Sequence, residues 1–481
     1  MGIRRAAVFA PEARRRTRCG PARKTVGAGT PMRYRWRAMN AGADRTAAYD
    51  VAIVGAGAAG IGAALAARAL GLSFVVLEAM GRIGGRAFTD RAAFGAPWDT
   101  GCFILHSASE NPLARVAERL GLTLRKGLVR RARMLKGAAL LEEAEAEALL
   151  AYYEDCWARI DEAADAGRDV ACADVLDRMH PLWPQFAHRC AVFQGVDPEE
   201  ASTLDHLRYR DTHENWPVAD GYGTLIARIA QGIPVRLNTP VTAIDYGANP
   251  LRLETPGGSI RARAAVLTAS TGVLAAETIR FDPKLPDWKL RAIESVPIGF
   301  ADKIAFAFPP GALDAQPNDY LHVVTGTRRT LGFHLRPFGY DYASGYVGGS
   351  TAVSLADASD DDAFDFAMEK LVAAFGASIA AKATARRRTR WGKEPWIRGG
   401  YSAARPGEAL ARLALAEPLA DRLYFAGEAS APEFFSTAHG AYLSGIDAAM
   451  GAARAIGHAM TTAPGPVALA LGGAVGPTAP R

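Results

Sequence analysis

At 481 residues with 49% hydrophobic composition, the chain is too long for one ordinary core and apolar enough to build two, which predicts a two-domain globular protein. The net charge of +6 sits in the first 48 residues, where twelve Lys/Arg face only Glu12 and Asp44 and leave the rest at −4, so a basic globular face for nucleic acid or an anionic membrane is excluded. Five cysteines, Cys19, Cys102, Cys156, Cys172 and Cys190, form no C-x-x-C pair, which speaks against a disulfide framework or a zinc site and for a reducing, cytoplasmic compartment.

Residues 1–48 read as a basic disordered tail. Arg4-Arg5 invites comparison with a twin-arginine signal, but no apolar stretch follows it. Residues 51–54 then read as a strand, Gly55-Ala56-Gly57-Ala58-Ala59-Gly60 as a turn, the Ala/Leu-rich run to about residue 70 as a helix and residues 74–77 as a second strand. This is a parallel βαβ unit. Gly55 permits the tight turn, Gly57 lets backbone approach a pyrophosphate, and Gly60 lets the helix sit close to the strand. Glu78 ends the second strand, where a carboxylate accepts hydrogen bonds from ribose hydroxyls and repels a 2′-phosphate. Directly afterwards, Gly81-Arg82-Ile83-Gly84-Gly85-Arg86 supplies a second glycine loop whose arginines can close over the same diphosphate, which points to FAD.

From about residue 111 to 177 the pattern is helical and reads as an inserted layer. Strands return at 234–237, 241–246 and in a hairpin about Pro256-Gly257-Gly258 that closes on 264–267. A mixed stretch over 286–389 contains alternating segments at 301–308 and 346–352. Lys303 falls in the first of these, where a buried ammonium needs a partner. The last strand, 423–426, feeds Gly427-Glu428 and a small-residue helix over about 440–456. Residues 459–481 read as a disordered Ala/Pro/Gly-rich tail whose apolar run is too short to span a bilayer, so no membrane anchor is expected.

The double glycine signature, Asp99-Thr-Gly-Cys-Phe-Ile-Leu-His106, Gly221-Tyr-Gly-Thr-Leu225, Pro240-Val-Thr-Ala-Ile244, Tyr424-Phe-Ala-Gly-Glu-Ala429 and Thr437-Ala-His-Gly-Ala-Tyr-Leu-Ser-Gly-Ile-Asp447, in that order, resemble the flavin amine oxidase family of monoamine oxidases, polyamine oxidases and flavin-dependent histone demethylases. The resemblance implies an α/β fold. A discontinuous, Rossmann-like FAD-binding domain of the GR2 type takes residues 49–105, 217–285 and 390–458, and a mixed α+β substrate domain with the helical insertion takes 106–216 and 286–389. It implies that Gly55, Gly57, Gly60, Glu78 and Arg86 hold the ADP half, with Ala59 and Gly85 beside them, and that the Val241 backbone meets the adenine. Phe103 and Ile104 would line the isoalloxazine, Gly427 and Glu428 the ribityl-diphosphate side, and Thr437 and Ala438 the pyrimidine end. Lys303 matches the lysine that holds a water against flavin N5, and Trp391 the tryptophan beside it.

His106, Tyr401 and Thr437 are expected at the substrate pocket, with Tyr401 or Ser402 near one position of the two-tyrosine cage of monoamine oxidases and Thr437 at the other. No cysteine follows Cys190, so the FAD is expected to be noncovalent. The implied reaction oxidises a primary or secondary amine to an imine by hydride transfer to N5, and dioxygen takes the electrons to give hydrogen peroxide. The alternative is a carbon–carbon desaturase that uses another acceptor. The partners expected are a small amine and dioxygen; the sequence names neither the particular amine nor an oligomeric state.

Overall fold

A computed structural model describes residues 48–459 and 464–472. The basic tail, apart from Ala48, lies outside them. Residues 51–54 of the strand Tyr49–Val54 are buried on both faces, as a parallel central strand must be, and form a continuous apolar run. It pairs in parallel with Phe74–Leu77 on one side and Gly258–Leu267 on the other. The sheet continues to Val235–Arg236 beyond Phe74–Leu77, and through Leu251–Thr255 and Ala243–Asp245 to Arg280–Asp282 beyond Gly258–Leu267. Leu423–Phe425, more than 150 residues later, adds in parallel to the end of Gly258–Leu267. The two ends of the described chain thus meet in one sheet.

Ala58–Ala69 and Ala438–Ala455 lie against each other over this sheet because both are rich in small residues. A Cβ on Gly62 would stand 2.3 Å from Tyr442 O, and one on Gly445 1.9 Å from Ala59 O. Gly445→Leu is therefore expected to push the helices apart and cost about 1–3 kcal/mol or more, read as a lowered midpoint in thermal or urea unfolding.

A second, seven-stranded sheet runs Ala385–Arg388, Ala301–Ala307, Tyr342–Gly348, Gly332–Leu335, Asp319–Val324, Ala132–Lys136, Ala139–Leu140. Strand periodicity sorts its side chains. Ile304, Phe306, Leu321, Val323, Phe333, Leu335, Ala343 and Val347 enter a core shared with Gly349–Asp357 and Asp360–Phe375. The opposite face turns Lys303, Tyr320, His322, His334 and Tyr346 into a cavity.

Three expectations are corrected. The stretch 111–177 is not helical throughout: between Pro112–Arg119 and Glu143–Asp165 the hairpin of Ala132–Lys136 and Ala139–Leu140 joins the second sheet, pairing in parallel with Asp319–Val324. Arg131, Arg133 and Lys136 hide it, since strands near a sheet edge carry charges that blur the apolar alternation. The segment 346–352 is not one strand, because Gly349, at φ +55°, ends Tyr342–Gly348 and begins a helix. The tail expected over 459–481 contains the short helix Pro466–Ala470, which buries Leu469 in the core and accepts a hydrogen bond from Tyr442 Oη at Pro466 O (2.8 Å). The remaining residues of that tail, 460–463 and 473–481, lie outside the described residues.

Candidate active site

The glycine turn adopts the geometry its residues require. Gly55 has φ +101°, and a Cβ on Gly60 would lie 1.9 Å from Gly55 O. By contrast, a Cβ on Gly57 would find nothing nearer than Gly84 O at 4.0 Å, so that position is open toward the cavity. Gly57 caps Ala58–Ala69 with no side-chain hydrogen bond, which leaves N–H groups of the first turn for a ligand. Gly85, at φ +55°, closes over the turn with its Cβ position 3.5 Å from Gly57 Cα. Glu78 is buried; its carboxylate accepts from the Ala56 N–H (2.7 Å) and the Met80 N–H (2.8 Å), and burial raises its pKa against these bonds. Val241 is buried at the wall of the same cavity, and among the described residues neither its N–H nor its C=O takes part in a hydrogen bond. Uncapped N–H groups, a cradle a side chain would fill, a fixed carboxylate and a spare backbone edge are what an adenine dinucleotide such as FAD needs.

Arg86 crosses to the C-terminal half. Its Nη1 donates to Gly400 O (2.6 Å) and pairs with Glu428 Oε1 (2.9 Å). Glu428 is buried, also accepts from Ser402 Oγ (2.7 Å) and the Ser436 N–H (3.0 Å), and is held below its usual pKa by Arg86, Ser402 and Arg412 against the opposing effect of burial. Gly427 precedes it, its N–H donated to Ser444 Oγ (2.9 Å). Thr437 is the N-cap of Ala438–Ala455: its Oγ1 accepts from the Gly440 N–H (3.0 Å) and donates to Phe434 O (2.6 Å). The positive end of that helix meets the cavity at Thr437 and Ala438.

Lys303 is buried on the cavity face of Ala301–Ala307. Its Nζ donates to Asp99 O and Gly101 O, both at 2.7 Å, and lies 4.4 Å from the Phe103 ring centre and 5.1 Å from that of Tyr346. Burial, opposed by Asp99 and Cys102, pushes its pKa down to about 8. The Asp99 carboxylate accepts from the N–H groups of Tyr222 (2.8 Å) and Gly223 (3.2 Å), so two of the sequence motifs are tied together beside Lys303. Trp391 is fixed by Nε1 to Thr100 O (3.2 Å) and by its N–H to Asp302 Oδ1 (2.9 Å); burial raises Asp302 to about 6. Ile104, in a short strand against Pro217, lines the same space.

His106 and Tyr401 also line it. His106 Nδ1 lies 2.6 Å from Asn215 Oδ1, and Tyr401 Oη donates to Val192 O of the inserted helix Trp183–Gln194. One cavity of about 590 Å³ therefore brings together Gly55, Gly57, Ala59, Glu78, Gly85, Arg86, Phe103, Ile104, His106, Val241, Lys303, Trp391, Tyr401, Gly427, Glu428, Thr437 and Ala438. Gly60 stands behind the turn, packed against Gly55. Sequence reasoning missed Arg189, His322, His334 and Tyr346, which also line the cavity. Period-2 alternation would have placed the last three on one strand face or the other, without saying which face is wet.

Among the described residues, no group of three His, Cys, Asp or Glu gathers as a metal site, and no helix is long and apolar enough to cross a membrane.

Comparison with known proteins agrees with this geometry. Polyamine oxidase 4 of Oryza sativa subsp. japonica is 30% identical over 437 residues, covering 83% of this chain and 88% of that protein. Lysine-specific histone demethylase 1B of Mus musculus is 27% identical over 431 residues; the match takes 82% of this chain but spans only about half, 52%, of that relative's length. The solved structure of cyclohexylamine oxidase from Brevibacterium oxydans superimposes with a TM-score of 0.72 at 25% identity, over 85% of this chain and all of the other (100%). The profile described as flavin containing amine oxidoreductase matches residues 58–452. The chain belongs to that family of FAD-dependent oxidoreductases acting on CH–NH groups.

Proposed function

We propose that the protein is an amine oxidase that binds FAD noncovalently, converts a primary or secondary amine to an imine and passes the electrons to dioxygen, giving hydrogen peroxide. The observation that carries this reading is the single cavity joining the uncapped first turn of Ala58–Ala69 to Lys303 and the aromatic sheet face. Backbone groups of Gly55, Gly57, Ala59, Gly60 and Gly85 hold the diphosphate, with Arg86 adding charge. Glu78 takes the ribose, the Val241 backbone the adenine, and Gly427 and Glu428 the ribityl side. Thr437 and Ala438 aim a helix N-terminus at the pyrimidine end, and Phe103, Ile104 and Trp391 flank the ring system. FAD bound there supplies hydride acceptance at N5 and electron transfer to dioxygen.

Lys303 acts from Nζ, holding a water or a proton at the reacting face while Asp99 O and Gly101 O fix its position. Residues 106–216 and 286–389 form the substrate side, with His106 and Tyr401 in its wall and bulk water kept out.

Gly57→Val discriminates binding from folding. The mutated side chain enters open space in the protein itself, so the fold is expected to survive while FAD affinity falls by tenfold or more, measured by flavin titration. The function is tested by peroxide release from yellow protein across a panel of amines. Amine-dependent release is expected. Reduction only by amine-free substrates, with an acceptor other than dioxygen, would replace this reading with the desaturase.

A further inference from the structure

A second cavity, of about 40 Å³, adjoins the large one at Lys303. Phe103, Leu128, Lys303, His334 and Tyr346 line both, so these five residues form the common boundary. That boundary is one layer of side chains. Phe103 and Tyr346 stack with ring centres 5.1 Å apart, and Lys303 Nζ sits over both, 4.4 Å from the first and 5.1 Å from the second.

From Lys303 the small cavity follows the second sheet outward. Tyr342, Ser344 and Tyr346 alternate along Tyr342–Gly348 and share the face that lines it. Pro97, Trp98, Pro217 and Val218 stand in its lining as well. Two hydrogen bonds hold the strand Tyr342–Gly348 to the segment of Pro97 and Trp98: Tyr342 Oη donates to Pro97 O (3.0 Å), and Trp98 Nε1 donates to Ser344 Oγ (3.3 Å). They fix the spacing and keep the gap from closing. The lining also includes Asn318, Pro337 and Phe338, which are only half-buried and bring the cavity to the protein surface. Phe338 is held there at φ +54°, with its N–H donated to Asn318 Oδ1 (2.9 Å), and Asn318 itself has φ +64°. Left-handed backbone at two residues with side chains persists only where the surroundings impose it, so the rim has one enforced shape.

The lining selects by size and polarity. A space of about 40 Å³ admits a water or a diatomic molecule and excludes an amine substrate. Trp98, Leu128, Pro217, Val218 and Tyr342 make its middle largely aromatic and aliphatic. Asp99 is the one acidic residue in the lining, and its oxygens accept from the N–H groups of Tyr222 and Gly223 and from Thr89 Oγ1 (2.5 Å). Lys303 stands at the inner end, with two of its three N–H groups given to Asp99 O and Gly101 O. Apolar walls that lead to a cation suit a small neutral molecule that gains negative charge on arrival.

We propose that this cavity is the route by which dioxygen reaches the reacting face, separate from the space occupied by the amine, and that it enters past Phe103 and Tyr346. The inference rests on the oxidase reading and deepens it. In the step the route serves, dioxygen takes two electrons and two protons from the reduced flavin and leaves as hydrogen peroxide, while the flavin returns to its oxidised form. Dioxygen can then arrive while the amine or its imine still fills the large cavity.

The test compares Ser344→Leu with Ser344→Ala in the yellow holoenzyme. Ser344 lines the small cavity and not the large one. Both variants lose the hydrogen bond from Trp98, but only leucine adds bulk to the passage. The flavin is photoreduced without oxygen and mixed with dioxygen in a stopped-flow spectrometer. Ser344→Leu is expected to reoxidise about tenfold or more slowly than Ser344→Ala, whereas anaerobic reduction by amine differs between them by less than about twofold. Equal reoxidation rates in the two variants overturn the route, and so does an equal slowing of reduction and reoxidation in Ser344→Leu. In either case the wild type still reoxidises and the oxidase reading stands. Photoreduced wild type that does not react with dioxygen removes the oxidase reading, and the route falls with it.

Wild-type crystals under xenon pressure give a reading that needs neither a variant nor turnover. Xenon is expected between Trp98, Ser344 and Tyr346. A passage that holds ordered water and no xenon overturns the proposal, even if Ser344→Leu fails to fold.

Discussion

Lys303→Met is expected to leave the protein able to bind FAD and to slow amine-dependent turnover by about 10²- to 10³-fold, the range for loss of one positioned proton-holding or charge-stabilising group. Methionine fills much of the lysine volume but donates nothing, so Asp99 O and Gly101 O lose the partner they share at 2.7 Å. About 1–3 kcal/mol of stability is expected to go with them, which unfolding measurements separate from the kinetic effect.

The pH profile distinguishes the two roles. Because burial lowers the Lys303 pKa to about 8, the ammonium form is present below that pH and lost above it. Negative charge developing on dioxygen is favoured by the cation, so the rate of reoxidation is expected to fall as pH rises through about 8 in the wild type and to lack that limb in Lys303→Met. Folding stability moves the other way. Between about 8 and the usual lysine value of 10.5, the unfolded chain holds a proton that the folded chain has released, so the Lys303 contribution makes stability rise with pH across that window. Full activity of Lys303→Met with an unchanged profile would remove this residue from the mechanism.

Arg412→Met is expected to have the largest effect on stability, about 3–5 kcal/mol, through a charge the sequence gives no reason to suspect. Arg412 is 1% exposed at its side chain and Asp205 3%. The guanidinium meets the carboxylate through Nε (2.7 Å) and Nη2 (2.8 Å) and also donates to Ser402 Oγ (2.8 Å). The pair ties the inserted helix Thr203–Arg208 to the segment of Tyr401 and Ser402, and through Ser402 Oγ to Glu428. Removing the arginine strands Asp205 in the interior with the Ala404 N–H (2.9 Å) and little else to oppose its charge. Urea unfolding would show the midpoint falling, and Arg412→Met combined with Asp205→Leu is expected to recover part of the loss because neither charge is then left alone. If the single variant unfolds within about 0.5 kcal/mol of the wild type, the pair does not hold the insertion in place.

The parts legible in the sequence are those whose chemistry is local. Gly55, Gly57 and Gly60 follow a strand and open a helix, and Glu78 closes the next strand, so six to twenty-odd residues state the backbone geometry. Thr437 before a run of small residues likewise announces a helix start, and the helix begins at Ala438, two residues earlier than the composition suggested. What escaped depends on distant partners. Ala132–Lys136 becomes a strand only because Asp319–Val324 lies beside it. Pro466–Ala470 is helical where apolar contact with the core outweighs a composition that otherwise reads as unstructured. Arg189 and Arg412 each look like a surface arginine, and only the path of the insertion brings one to the cavity and the other to Asp205.

The most direct measurement is the visible absorption spectrum of purified protein after incubation with FAD and removal of the excess. One flavin per chain, released into solution by acid denaturation, is the result predicted by a cavity that joins residues near both ends of the described chain around a noncovalent cofactor. Protein that is folded by circular dichroism yet remains colourless after that incubation would contradict it.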